Sequence, residues 1–160
     1  MSGVSPSALA GHAFLAGLPV ADVARLADAA TAITVPAGYR FFEEGGRASQ
    51  FWLISSGHVA LDIYLPGRPR LIVETIGADG LIGLSWVAPP QEWQYGAEAV
   101  QPTSAFELDA AAVLALCDSD PALGYQVTRR LLAIASRRMH ASRIRMMDLY
   151  AVPGGRTGAP

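Results

Sequence analysis

The sequence has a single cysteine, Cys117, and no lysine, so its twelve basic residues are all arginine. A lone thiol excludes an intrachain disulfide, and one thiolate cannot hold a zinc or iron–sulfur site. Cys117 follows Leu114, Ala115 and Leu116, a setting in which cysteine behaves as a small buried apolar side chain. No apolar run reaches the roughly 18 residues of a membrane-spanning helix. The start, Met1-Ser2-Gly3-Val4-Ser5-Pro6, has no basic stretch ahead of an apolar one and is not read as a signal peptide. The expected location is therefore the cytoplasm, with no membrane partner. Histidines are scarce and scattered (His12, His58, His140), and no pair has metal-ligand spacing. No metal and no cofactor are expected. No nucleophile, base and orienting group stand out as a set, so the reading is a non-enzyme. A net charge of −2 argues against a globally basic nucleic-acid binder.

What is present is apolar and strongly punctuated. The hydrophobic share is 51% and mean hydropathy is +0.28, high enough that some apolar surface should meet a partner. The 160 residues suggest one domain. Residues 1–11 read as flexible. His12 to Leu18 reads as one apolar turn closed by glycine. A clearer helix runs from Val20 to about Ala30, with Val23, Leu26 and Ala30 as its buried stripe. Residues 12–31 together are read as lid helices. The period then becomes two. Short runs at Ile33–Val35, Tyr39–Phe42, Gln50–Ile54, His58–Tyr64, Arg70–Ile76, Gly96–Ala99 and Thr103–Leu108 are separated by glycine and proline corners. In His58–Tyr64, the residues Val59, Leu61 and Ile63 share one face. Residues 32–108 thus predict a small all-β roll.

Asp109 is a good N-cap for a short helix, and Asp120-Pro121 repeats the signal for a long one running to about Leu149. Leu132, Ala135, Met139, Ser142, Met146 and Leu149 step alternately by three and four, as a heptad seam does. Val127, Leu131, Ile134 and Ala141 form a second line beside it. One line can face the roll and the other a second copy. Arg129, Arg130, Arg137, Arg138, Arg143 and Arg145 fall largely off the seam and read as a solvated face. Residues 109–150 are expected to be helical and 151–160 a disordered tail.

Val35-Pro36-Ala37-Gly38, Phe42-Glu43-Glu44-Gly45, Phe51 to Leu61 and Gly80-Leu81-Ile82-Gly83-Leu84 together resemble the cyclic nucleotide-binding domain, in particular the sensor half of the catabolite-activator/Fnr family. The resemblance covers roughly residues 12 to 149. It implies a mainly β fold with flanking helices: an eight-stranded double-stranded β-helix (jelly roll), N-terminal lid helices and a long C-terminal helix.

It also implies a nucleotide pocket, and here the sequence departs from the family. The family's phosphate-binding segment reads Gly-Glu-Leu-Gly-Leu, its glutamate accepting from the ribose hydroxyl and a later arginine gripping the cyclic phosphate. Leu81 stands at the glutamate position on this reading. The arginine position falls near Trp93, with Gln94 after it, and no arginine lies between Arg70 and Arg129. A charged hydrogen bond contributes about 1.5–3 kcal/mol, so losing both removes about 3–6 kcal/mol, or about a hundredfold to ten-thousandfold in affinity. Cyclic AMP and cyclic GMP are therefore not expected to bind in the usual way. The ligand-pocket candidates are Gly80, Leu81, Ile82, Gly83, Leu84, Ser85, Trp86, Trp93 and Gln94. Their rings, with Trp52 and Tyr95, either line the pocket or plug it. A cupin-type metalloenzyme is disfavoured because only His58 lies on a barrel strand.

The chain also stops about ten residues after the long helix, without the helix-turn-helix that follows in the family's transcription factors. No direct sequence-specific DNA binding is expected. The overall expectation is a non-catalytic regulatory or accessory module, homodimeric through its C-terminal helix, with a separate effector or enzyme-complex subunit as a further partner. The alternative is a sensor of a different apolar or aromatic ligand in the re-lined pocket.

Overall fold

Glycine and proline corners cut residues 30–109 into strands too short to stand alone, and these strands pair across long sequence distances. The computed structural model describes residues 3–151. It contains α1 (Pro6–Ala10), a 3-10 turn (Ala13–Leu15) and α2 (Val20–Asp28). Eight strands follow: β1 (Ala30–Val35), β2 (Arg40–Phe42), β3 (Gln50–Ser56), β4 (Val59–Ile63), β5 (Leu71–Ile76), β6 (Leu81–Ile82), β7 (Gly96–Ala99) and β8 (Thr103–Asp109). The described chain closes with α3 (Ala110–Ser119) and α4 (Pro121–Tyr150).

The strands form two four-stranded sheets in the orders β1-β8-β3-β6 and β2-β7-β4-β5. All of these pairings are antiparallel. This is the expected mainly β jelly roll of eight strands with flanking helices.

Strand β3 departs from simple alternation, because Phe51, Trp52, Leu53 and Ile54 are all buried. Successive side chains point to opposite faces, so both faces of this strand are covered. At Trp52 the cover is aromatic, with Phe41 at 5.4 Å and Phe42 at 5.6 Å between ring centroids. At Phe51 it is Trp86, stacked at 4.5 Å. The clean alternation read for His58–Tyr64 is also broken. Val59, Ala60, Leu61 and Asp62 are all buried, and the β4–β5 register shifts between Leu61 and Asp62.

The buried Asp62 carboxylate is held by Arg40 at 2.5 Å and Arg70 at 3.2 Å, and Arg40 reaches on to Glu43 and Glu98. Burial alone would raise the Asp62 pKa. The hydrogen bonds and charges of Arg40, with Arg70, outweigh it and hold the group below the usual carboxylate range.

The N-terminal stretch is more ordered than its small residues suggest. Ser5 caps α1 by accepting from the Ala8 N–H, and Leu9 is fully buried. Within the stretch 1–11, which the sequence reads as flexible, Pro6–Ala10 forms a capped helical turn docked by one buried leucine. His12 is buried too. Its Nε2 lies 3.1 Å from the Ile54 carbonyl oxygen, and its Nδ1 accepts from the Phe14 N–H. Desolvation lowers its pKa, partly offset by Asp79.

In α4, Asp120 accepts from the Ala122 and Leu123 N–H groups, and Pro121 occupies the first turn. Leu123, Val127 and Leu131 are buried, with Ile134 packed beside them. The second apolar line of the sequence is thus the one that docks. Gly124 permits this approach: a Cβ there would lie 2.8 Å from the Cys117 carbonyl oxygen of α3. Cys117 is part-buried, and burial raises its thiol pKa. Apart from Ala151, the expected tail lies outside the described residues.

Candidate functional site

The segment after β5 builds one wall of the candidate site. Asp79 takes a positive φ of 63° and donates its N–H to the Ile54 carbonyl, which seats the chain back on β3. Leu81 and Ile82 then pair with Leu53 and Trp52 as β6, and both are buried, Leu81 to 1% exposure. Gly83 turns the chain with φ +85°. A Cβ there would stand 2.9 Å from the Trp93 ring, so any other residue would be strained and would push against that ring. Leu84 and Ser85 follow on the wall of a half-open cavity of about 170 Å³, which Phe42, Leu61, Trp93, Gln94, Tyr95 and Arg138 complete.

This placement corrects the sequence register. Leu81 cannot stand where a ligand-facing glutamate would, because pairing with Leu53 buries it. Leu84, the residue after the φ-positive glycine, is the leucine that borders the cavity. Ile82 and Trp86 also leave the candidate list as core residues: Trp86 is fully buried against Phe51. Gly80 is a packing glycine whose Cβ would meet the Ile76 side chain at 2.3 Å. It borders a separate cleft beneath α4. Of the nine candidates, Gly83, Leu84, Ser85, Trp93 and Gln94 converge on the cavity.

Trp93 is 5% exposed and lies flat on Phe42, ring centroids 4.0 Å apart at 16°. Trp52 stands behind both, its indole N–H donating to Glu107 at 2.8 Å. Trp93 thus forms one wall of the cavity, and an apolar void remains next to it. Gln94 is exposed and donates to the Glu92 carbonyl.

A second cavity of about 330 Å³ lies between β5 and α4, lined in part by Val73, Glu74, Ala135, Met139 and Ser142. Leu61, Leu84, Tyr95 and Arg138 border both spaces. The element over the pocket is therefore α4. The N-terminal helices, expected as a lid, contribute no residue to either cavity. They are tied to α4 instead, through Arg25 to Asp120 at 2.7 Å and Arg130 to the Phe14 carbonyl at 2.8 Å.

The sequence reading missed Arg138. Its guanidinium donates to the Leu81 carbonyl oxygen and lies 3.6 Å from the Glu74 carboxylate. Its side chain is only 18% exposed, and burial lowers its pKa, partly offset by Glu74. The signal was available. Val127, Leu131, Ile134 and Ala141 step by four, three and seven, and Arg138 fills the missing step on that docked line.

The predicted seam residues Leu132, Ala135, Met139, Ser142, Met146 and Leu149 are all exposed. Ser142, Met146 and Leu149 also border a groove of about 290 Å³ with Leu71 to Val73 of β5. Among the described residues, no group of three or more His, Cys, Asp or Glu is placed to hold a metal. Likewise, no described helix is long and apolar enough to cross a membrane.

Residues 32–120 match the family model of the cyclic nucleotide-binding domain. A structure from Geobacter metallireducens GS-15, described as a cyclic nucleotide-binding protein, superposes with a TM-score of 0.76 at 22% identity, over 86% of this chain and 99% of that one. A cyclic nucleotide-binding domain from Methylobacillus flagellatus KT gives 0.75 at 22%, over 86% and 78%. The catabolite activator protein of Thermus thermophilus gives 0.67 at 24%, over 91% of this chain and 63% of that one. A search of curated protein sequences returned no significant match.

Proposed function

This chain belongs to the cyclic nucleotide-binding domain family, and from that premise we propose that it is a non-catalytic regulatory module whose pocket does not take cyclic AMP or cyclic GMP in the usual way. The observation that carries the reading is the stacked, buried Trp93 on the side of the pocket where the family resemblance calls for an arginine. Leu84 in place of a ligand-facing carboxylate supports it. The groups that would recognise a cyclic phosphate and a ribose hydroxyl are replaced by an indole and an isobutyl side chain. Thermal denaturation with cyclic AMP and cyclic GMP at about 1 mM tests the reading. No shift is expected, and a shift of several degrees contradicts it.

The module is proposed to be a homodimer through α4. Exposed Leu132, Met139, Met146 and Leu149 on that helix support this reading. Sedimentation of a monomer at micromolar concentration contradicts it.

A second reading is favoured by the void itself. The cavity beside Trp93 remains apolar and half-open, which suits a sensor of a small apolar or aromatic ligand, signalling to a separate effector protein.

A further inference from the structure

The cavity is mostly apolar, with Ser85, Gln94 and Tyr95 at its wall and one charged group, Arg138. Phe42, Leu61, Leu84 and Trp93 supply hydrocarbon and aromatic surface, and Arg138 enters from α4. Its volume is about 170 Å³. An engineered apolar cavity of about 150 Å³ holds one benzene ring, while pockets for drug-sized ligands start near 300 Å³. The space therefore matches a single six-membered ring.

The Arg138 guanidinium is only partly engaged. Its Nη2 donates to the Leu81 carbonyl, and its Nε faces Glu74 at 3.6 Å, beyond hydrogen-bonding length. Its Nη1 has no acceptor among the described residues. A guanidinium offers five N–H donors in a planar fork that fits a carboxylate two-to-two. The neighbouring Glu74 carboxylate disfavours a doubly charged head group such as a phosphate monoester and leaves room for a single negative charge.

We propose that this cavity binds a small monocyclic carboxylate, its ring among Phe42, Leu61, Leu84 and Trp93 and its carboxylate on Arg138. The proposal rests on the second reading above, that the cavity is a ligand site. A positive charge carried by α4 replaces the one the pocket wall lost at position 93, and the chemistry selected changes from a nucleotide to a one-ring acid.

Titration of the full chain with benzoate and phenylacetate, against neutral benzyl alcohol and ring-free acetate, tests it through tryptophan fluorescence and calorimetry. The aromatic acids should bind at least about tenfold more tightly than either control. Arg138→Met, which keeps the aliphatic stem, should bring the affinity of the aromatic acids down to that of benzyl alcohol for the same variant. Leu84→Trp, which fills the cavity and spares Arg138, should abolish ring binding. Circular dichroism establishes that both variants fold. Equal binding of benzoate and benzyl alcohol overturns the proposal and leaves the apolar-ligand reading standing. Equal binding of benzoate and acetate also overturns it. No binding of either aromatic acid at about 10 mM overturns both the proposal and the reading beneath it.

Discussion

Replacing Trp93 by alanine is the most informative single change to the pocket, because this buried, stacked ring forms one wall of it. Trp93 is 5% exposed and stacks on Phe42 at 4.0 Å, with Trp52 at 6.1 Å and a Gly83 that has no room for a Cβ beneath the ring. Deleting a buried Trp or Phe side chain costs about 3–5 kcal/mol. The stacked pair accounts for about 0.5–1.5 kcal/mol of that. For a chain of this length each kcal/mol lowers the melting temperature by about 2–4 °C, so the variant should melt about 10 °C lower. Urea denaturation followed by circular dichroism measures the free energy directly, and an unchanged slope shows that the unfolded state is the same. A loss below about 1 kcal/mol would refute the reasoning. It would mean that Trp93 is not a packed plug and swings aside at little cost.

Other substitutions probe the remaining features. Gly83→Ala forces a φ of +85° on a residue with a Cβ and drives it against the Trp93 ring; thermal denaturation should show a loss of more than about 1 kcal/mol. Asp62→Asn removes the charge held by Arg40 and Arg70 and should cost about 1–3 kcal/mol at neutral pH by urea denaturation. Because the folded Asp62 pKa lies below the unfolded value of 3.8, its stabilisation is fully present above that value and is lost as pH falls through the folded one. The gap between wild type and this variant should therefore close in acid. Met139→Glu places a charge on the exposed apolar line of α4 and should shift the proposed dimer towards monomer in sedimentation equilibrium.

Much of the architecture was legible because it is punctuated locally. Pro36 to Gly38, Gly57 and the Pro66 to Gly67 turn mark the corners, and Asp120-Pro121 marks the start of α4. The pocket was harder to read because its wall depends on pairing between distant strands. Gly80-Leu81 and Gly83-Leu84 look alike in one dimension, and only the pairing of β6 with β3 buries the first leucine and leaves the second on the cavity. Trp86 carries the same lesson: an aromatic beside a glycine-rich loop was read as pocket, yet Phe51 on the far face of β3 draws it into the core. Arg138 was set with the solvated arginines because its charge outweighed its position on the docked line of α4. The helix at Pro6–Ala10 rests on one cap and one buried leucine, a signal too small to outweigh the polar residues around it.

The most direct test is a side-by-side calorimetric titration of the wild-type chain and the Leu84→Glu/Trp93→Arg double variant with cyclic AMP. The account predicts that the wild type is silent up to about 1 mM while the variant gains measurable affinity, since each restored charged hydrogen bond contributes about 1.5–3 kcal/mol. Micromolar binding by the wild type would contradict it, because Trp93 and Leu84 would then not stand where the nucleotide is recognised.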